Sequence, residues 1–296
     1  MAETILEIRD LYYGYGNGTA ALNGVSVDIY EGEKIAVIGS NGAGKSTFFL
    51  NMNGVLTPDQ GKIGYRGTIV NKKNLKELRK NIGIVFQDAD NQIIASTVMA
   101  EVGFGPMNLK LPKEEVLKRV EEALTYMNIL DYKDRPPHYL SGGEKKRVSI
   151  ADIIAMKSEI IIFDEPTAGL DPLNAQMLEE VLGKLGSEGK TMLISTHDVD
   201  FVYRWAERAI VFCQGRIIAD GTPLEIFQNK EILKQANLKQ PTMMEVYDLL
   251  VEKHLLEDTK AYPVSTQAFK ELLGNPYLAS RPEKPPEKEK FKVVKI

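Results

Sequence analysis

The chain's most reactive-looking stretch is Gly39-Ser40-Asn41-Gly42-Ala43-Gly44-Lys45-Ser46, which follows the apolar run EKIAVI. Its glycines let successive backbone N–H groups face one anion, the lysine adds a movable positive charge, and the serine offers a hydroxyl to a hard cation. That set suits the phosphate chain of a nucleotide, with Lys45 reaching the β- and γ-phosphates and Ser46 ligating Mg²⁺. A second apolar run, IIIF, ends in the adjacent acids Asp164 and Glu165. A buried strand has no structural need for such a pair, because buried charge is costly unless matched. Asp164 suits holding Mg²⁺ through a water, and Glu165 suits orienting or deprotonating an attacking water. His197, in STHD, follows a third apolar run, where an imidazole can touch a terminal phosphate. Gln87 closes a fourth, IGIVFQ, and its neutral oxygen suits Mg²⁺ and the attacking water. His138 and His254 have no comparable setting and read as structural.

A second anion grip stands about a hundred residues further on, in YLSGGEKKRVS, Tyr139–Ser149. Ser141 occupies an N-cap position, Gly142 and Gly143 let the backbone come close to another group, and a charged helix follows. Such a helix start presents unpaired N–H groups and the positive dipole end. One polypeptide therefore carries two phosphate grips.

These residues need a scaffold of strand ends and helix starts. The first sixty residues alternate like paired strands. Val116, Leu117, Val120, Ala123, Leu124 and Met127 recur at helical spacing between Pro112 and about Ile129. SEIIIFDEP and KTMLISTHD read as buried strands, and AIVFCQGRIIADGTP as a hairpin turning at Gln214-Gly215. Thr222-Pro223-Leu224-Glu225 is a capping box with proline at the first helical position, and Thr242–Glu245 repeats the capping-box pattern. A second short helix, TQAFKELL, follows. The end, from Ala279, is rich in Pro, Glu and Lys and is expected to be loosely docked.

The 296 residues are 43% hydrophobic, enough for one large domain plus an extension. A net charge of −4 gives no global attraction to nucleic acid. The single cysteine, Cys213, excludes an intramolecular disulfide and suits a reducing cytosol. Apolar runs such as IIIF are far too short to cross a bilayer, so work at a membrane is expected to go through a partner.

Taken together these pieces resemble the ATP-binding cassette (ABC) family over about residues 3–238. The phosphate loop, Gln87, LSGGE at Leu140–Glu144, IIIFDE, AGLD at Ala168–Asp171 and His197 occur in that family's order. LSGGE discriminates most sharply. The resemblance implies an α/β phosphate-loop NTPase core with an N-terminal antiparallel β subdomain and a helical subdomain at about residues 88–155. It places the ABC ATPase domain at 1–238 and a small C-terminal extension at 239–296.

The same resemblance implies that ATP and Mg²⁺ are held by Tyr15, Gly39, Ser40, Asn41, Gly42, Ala43, Gly44, Lys45, Ser46, Thr47 and Gln87. Asp164 joins through water, with Glu165, His197 and Lys45 catalytic. By residue type Tyr15 suits stacking on an adenine ring, whereas Tyr12 and Tyr13 suit packing in the sheet; the resemblance also places the stacking aromatic at Tyr15. It also answers the question of two grips. Two such domains pair head to tail, so Ser141, Gly142, Gly143 and Glu144 of one chain grip the γ-phosphate held by the other, and Asp171 lies along the interface.

The segment QDADNQIIASTVMAEVGFGPMNL resembles the ATPases of energy-coupling factor importers, which take up vitamins and the ions of cobalt and nickel. FGPMNL and TMMEVYDLL fit that group, and the cobalt-transport ATPases are the nearest within it. Ile93, Ile94, Val98 and Met99 are expected at the surface, docking integral-membrane energy-coupling and substrate-binding subunits. A peripheral place on the cytoplasmic face of the membrane follows, with no nucleic acid partner. Soluble cassettes acting on DNA or ribosomes are the alternative class. They are disfavoured by the short stretch between Lys45 and Asp164, which leaves no room for a long coiled coil, by the lone cassette and by the acidic balance. A phosphate-loop kinase is disfavoured by LSGGE and His197.

Overall fold

Alternating apolar residues at the start of the chain give two long strands, β1 (Thr4–Gly14) and β2 (Ala20–Tyr30), paired antiparallel with Ile8 opposite Val27 and Tyr13 opposite Leu22. The computed structural model describes residues 3–16, 18–88 and 92–274. The run Lys34–Ile38 is β3, and it leads through the glycine-rich loop into helix α1 (Lys45–Met52). β4 (Gln60–Tyr65) returns to the other side of β1, and β5 (Thr68–Ile69) pairs with β4. The first sheet therefore has the order β2-β1-β4-β5.

After α2 (Leu75–Asn81) come β6 (Ile82–Val85), then α3 (Val98–Asn108), α4 (Lys113–Tyr126) and α5 (Gly142–Met156). The chain returns to the sheet as β7 (Ile160–Asp164), α6 (Pro172–Ser187), β8 (Thr191–Ser195), α7 (Val199–Trp205) and the hairpin β9 (Arg208–Cys213) and β10 (Arg216–Gly221). The second sheet runs β10-β9-β3-β8-β7-β6, parallel except for the edge strand β10.

Both faces of this sheet are covered, which explains its nearly uninterrupted apolar strands. Ile160 and Ile162 of β7 pack with the first sheet, Phe48 and Phe49. Ile161 and Phe163, on the opposite face, pack with Val148 of α5, Leu182 of α6 and Phe201 of α7. Each such fully buried Ile or Phe contributes about 1.5–3 kcal/mol.

The hairpin turns where expected, with Gln214 and Gly215 at φ 49 and 75. Thr222 and Glu225 form their capping box and open α8 (Pro223–Gln228), followed by α9 (Lys230–Ala236). The helix expected to reach Ile129 stops at Tyr126, because Asn128 turns left-handed (φ 53) and the Asn128 and Ile129 amides cap Thr125 and Leu124.

Helix α3 was not evident from the sequence pattern. Gly103, Gly105 and Pro106 disguise it, while the Thr97 side chain caps its start on the Ala100 amide.

From Gln240 the chain forms a second compact unit with α10 (Thr242–Glu252) and α11 (Thr266–Gly274). The capping box expected at Thr242 is not there. Pro241 holds the N-cap position with no side-chain cap, and Thr242 is already the first helical residue. Within this unit Asp248 accepts from the Tyr262 hydroxyl at 2.6 Å and from Gln240 at 3.0 Å. The Pro-, Glu- and Lys-rich end lies outside the described residues.

Candidate active site

Parallel strands end on one edge of a sheet, so β3, β6, β7 and β8 deliver their following residues to a common crevice, beside the point where the strand order reverses between β3 and β8. A cleft of about 540 Å³ opens there. Tyr15, Asn41, Gly42, Ala43, Gly44, Lys45, Ser46, Thr47, Gln87, Asp164, Glu165 and His197 all line it. Ala168, the first residue of AGLD, lines it too, as do Thr19, Ala20 and Ala21, which nothing but their chain neighbours marks in the sequence. Gly39 and Ser40, which open the loop, are not in the lining, and their carbonyls accept the Lys45 amine at 2.8 and 3.2 Å. Gly44 has φ 108, and a Cβ there would meet the Ala21 carbonyl oxygen at 2.5 Å, so the turn into α1 admits glycine alone. Burial lowers the Lys45 pKa, while Glu165 first and then Asp164 pull it back up. Tyr15 is half exposed. Its hydroxyl meets Thr47 Oγ1 at 3.1 Å and its ring stands edge-on to Tyr13 at 5.0 Å, which ties the aromatic to the start of α1.

One serine, unmarked by any motif, ties both acids to the end of β8. Ser195, the fully buried end of β8, donates from Oγ to Asp164 Oδ1 at 2.5 Å and accepts the Glu165 amide at 2.9 Å. Glu165 is held at φ 47, a left-handed conformation that costs a side-chain-bearing residue about 1 kcal/mol or more. Its Oε1 lies 2.8 Å from His197 Nε2, a contact that becomes a hydrogen bond when that nitrogen carries the proton. Burial raises the Glu165 pKa, opposed by His197 and Lys45. A carboxylate so placed is a better base than one in water.

Ser141 caps α5 as expected: its side chain accepts from the Glu144 amide while Glu144 Oε2 accepts the Ser141 amide at 2.7 Å. Ser141, Gly142, Gly143 and Glu144 are not among the residues lining the cleft. Gly143 packs so tightly on Asn174 that a Cβ would lie 2.6 Å from its Nδ2. Asn174 in turn is held by Asp171, which accepts its backbone amide at 2.9 Å and its Nδ2 at 2.7 Å. Asp171 is exposed at the start of α6, and Asn174 links it to the start of α5.

The expected docking residues divide. Ile94 is 74% exposed, whereas Val98 is wholly buried, and Ile93 and Met99 pack partly into the core beneath α3. Val98 is therefore a core residue and not a surface anchor: as the first residue of α3 its side chain turns toward Val102 and the sheet. Phe104 and Met107, at 48% and 53% exposed, are the apolar side chains α3 presents outward instead. The turn residues Ala89, Asp90 and Asn91 lie outside the described residues.

A family model for ABC transporters matches residues 22–168. The energy-coupling factor transporter ATP-binding protein EcfA of Methanocaldococcus jannaschii is 47% identical over 251 residues, spanning 84% of this chain and 90% of that one. The chain is an ABC ATPase of the energy-coupling factor type. A second EcfA, from Methanococcus maripaludis, is 46% identical over 262 residues, covering 88% and 94% of the two chains. Among solved structures, cbiO1 of Clostridium perfringens, part of the ABC transporter complex cbiONQ, superposes with a TM-score of 0.71 at 41% identity, covering 84% of this chain and 99% of that one. A dimeric ATP-binding cassette in a post-hydrolysis state with ADP and phosphate superposes at 0.67 with 29% identity, over 74% of this chain and 99% of its own. The cassette is thus an ATP-binding, ATP-hydrolysing transporter subunit, and no helix among its described residues is long and apolar enough to cross a membrane.

Proposed function

We propose that this ATPase works as a pair of half-sites and drives import through membrane subunits seated on α3. One observation supports the reading: the capped start of α5, at Ser141–Glu144, is not part of the lining of the chain's own phosphate cleft. A second copy or a paralogue docked head to tail would bring its Ser141, Gly142 and Gly143 to the γ-phosphate held by this chain's loop. The dimeric relative with ADP and phosphate supports that arrangement.

In the closed pair, Tyr15 would stack on adenine, the loop from Gly39 to Thr47 would wrap the phosphates, and Lys45 would exchange its loop carbonyls for phosphate oxygens. Ser46, Gln87 and Asp164 would hold Mg²⁺, Asp164 through water; all three line the cleft and offer hydroxyl, amide and carboxylate oxygens, the hard donors that ion selects. Once bound, Mg²⁺ neutralises charge on the β- and γ-phosphate oxygens. Glu165 takes a proton from the attacking water as its oxygen bonds to the γ-phosphorus. The bond to the bridging oxygen breaks, and ADP and phosphate leave. His197 steadies the γ-phosphate, and the partner's α5 start neutralises the charge that develops.

The transported solute is proposed as cobalt or nickel ion, on the sequence's resemblance to cobalt-transport ATPases and the likeness to cbiO1 of the cbiONQ complex. A vitamin importer is the alternative. Exposed Ile94, Phe104 and Met107 would seat the membrane partner at the cytoplasmic face. Glu165→Gln tests the core of the reading. It is expected to bind ATP, accumulate as an ATP-dependent dimer in gel filtration, and lose at least a hundredfold in turnover. A variant that stays monomeric at saturating ATP, or one that hydrolyses at the parent rate, overturns it. Uptake of labelled cobalt, nickel and vitamins by the purified complex decides the solute.

A further inference from the structure

Helix α5 carries a second feature that the half-site reading leaves unused. Lys146 sits three residues after Gly143 and is only 4% exposed. Its amine donates to the carbonyl oxygens of Phe86 at 2.8 Å and Gln87 at 2.6 Å. Those are the two peptides that immediately follow β6, past the last strand residue, Val85. Asp88 and Asp164 supply attraction from further off, yet burial still pushes the amine down to about 8. A buried cation held by neutral carbonyls costs stability, and a methionine, one heavy atom shorter, would fill most of the same space without that cost. Stability alone therefore does not account for the amine.

Its position does. Gln87 lines the phosphate cleft, and Lys146 does not. The helix that carries Lys146 begins at the grip facing the second chain. Along a helix three residues span about 4.5 Å, so a displacement at the amine passes to Gly143 with little loss. We propose that Lys146 is a positioning residue that latches the Gln87 segment to α5. A nucleotide drawing Gln87 into one chain's cleft then also sets that chain's grip for its partner's nucleotide. This coupling rests on the paired half-site reading. The grip is tethered on its other side by Asn174 and Asp171, so two clefts in one dimer would be linked through one short helix start.

The test uses the full chain in the Glu165→Gln background, where hydrolysis does not deplete the dimer. ATP-dependent dimerisation is followed by light scattering, and single-chain affinity is measured with a fluorescent ATP analogue at protein concentrations below association. Adding Lys146→Met is expected to raise the ATP concentration for half-maximal dimer about tenfold while single-chain affinity changes less than twofold. Lys146→Gln, smaller and polar, gives the same readout if the methionine variant folds poorly. Unchanged dimerisation in a folded variant overturns the latch. So does a parallel loss of single-chain affinity, which would assign Lys146 to building the cleft. Absence of an ATP-dependent dimer in Glu165→Gln itself is a separate result and counts against the paired reading.

Discussion

Ser195→Ala removes one oxygen from the point where the two acids diverge. The bond from Ser195 Oγ to Asp164 Oδ1, at 2.5 Å, is charge-assisted and contributes about 1.5–3 kcal/mol. The bond from the Glu165 amide, at 2.9 Å, is neutral, and that amide also reaches the Ser195 carbonyl at 3.1 Å, so its loss costs about 0.5–1 kcal/mol. The total, about 3 kcal/mol, corresponds to a fall in melting temperature of about 6–12 °C for a unit of this size. Catalysis should fall as well, because Glu165 sits in a strained backbone conformation that Ser195 helps to hold. A carboxylate displaced by a fraction of an ångström to an ångström loses about ten- to a hundredfold in rate, which is about 1.4–2.7 kcal/mol of barrier. Steady-state ATPase assays at a temperature where the variant is fully folded should show that loss in kcat, with KM for ATP within twofold. A variant with the parent's kcat refutes the positioning argument even if it melts lower. One with the parent's melting temperature refutes the hydrogen-bond argument as well.

Burial raises the Glu165 pKa, so the acid limb of the kcat–pH profile should lie above the ordinary carboxylate value of about 4.3; an acid limb at that ordinary value contradicts the assignment. The folded chain then binds this proton at a higher pH than the unfolded chain does. The charged form therefore weighs against folding at neutral pH. Glu165→Gln should melt above the parent at pH 7.5, with the gain fading as pH falls toward the unfolded carboxylate range, and a parent that melts higher at pH 7.5 reverses the sign. Replacing Ile94 and Met107 by Asp should leave ATPase activity within twofold but cut ATP-driven solute uptake at least tenfold in vesicles reconstituted with the membrane subunits. Uptake at the parent level would move the docking surface elsewhere.

The sequence made one kind of site residue legible and hid another. Lys45 sits in a glycine-rich turn, and Gln87, Asp164, Glu165 and His197 stand within three residues after an apolar run, so local pattern exposes them. Ser195, Asn174 and Lys146 act on residues remote in sequence, and nothing in STHD, PLNA or EKKR tells which neighbour they will meet. Strands buried on both faces were readable as apolar runs, and the Gln214-Gly215 turn by residue type. Helix α3 was not, because two glycines and a proline lower its intrinsic helicity and tertiary packing of Val98 and Val102 against the sheet supplies what propensity lacks. The same packing removed Val98 from the surface. Ile94 and Val98 look alike in sequence, and only the fold shows that Val98 packs in the core while Ile94 faces water.

The strand order has a bearing on biosynthesis. The phosphate loop leaves the ribosome well before β8 and β9, which flank β3 and follow α3, α4 and α5 in the chain. Until Thr191–Cys213 has emerged, the loop has no floor, Glu165 has no hydroxyl to hold its amide, and His197 is missing. A nascent or truncated chain should therefore find little purchase on ATP, while the finished one is stabilised by it. Cellular nucleotide would in this way favour completed molecules and leave shortened ones to proteolysis.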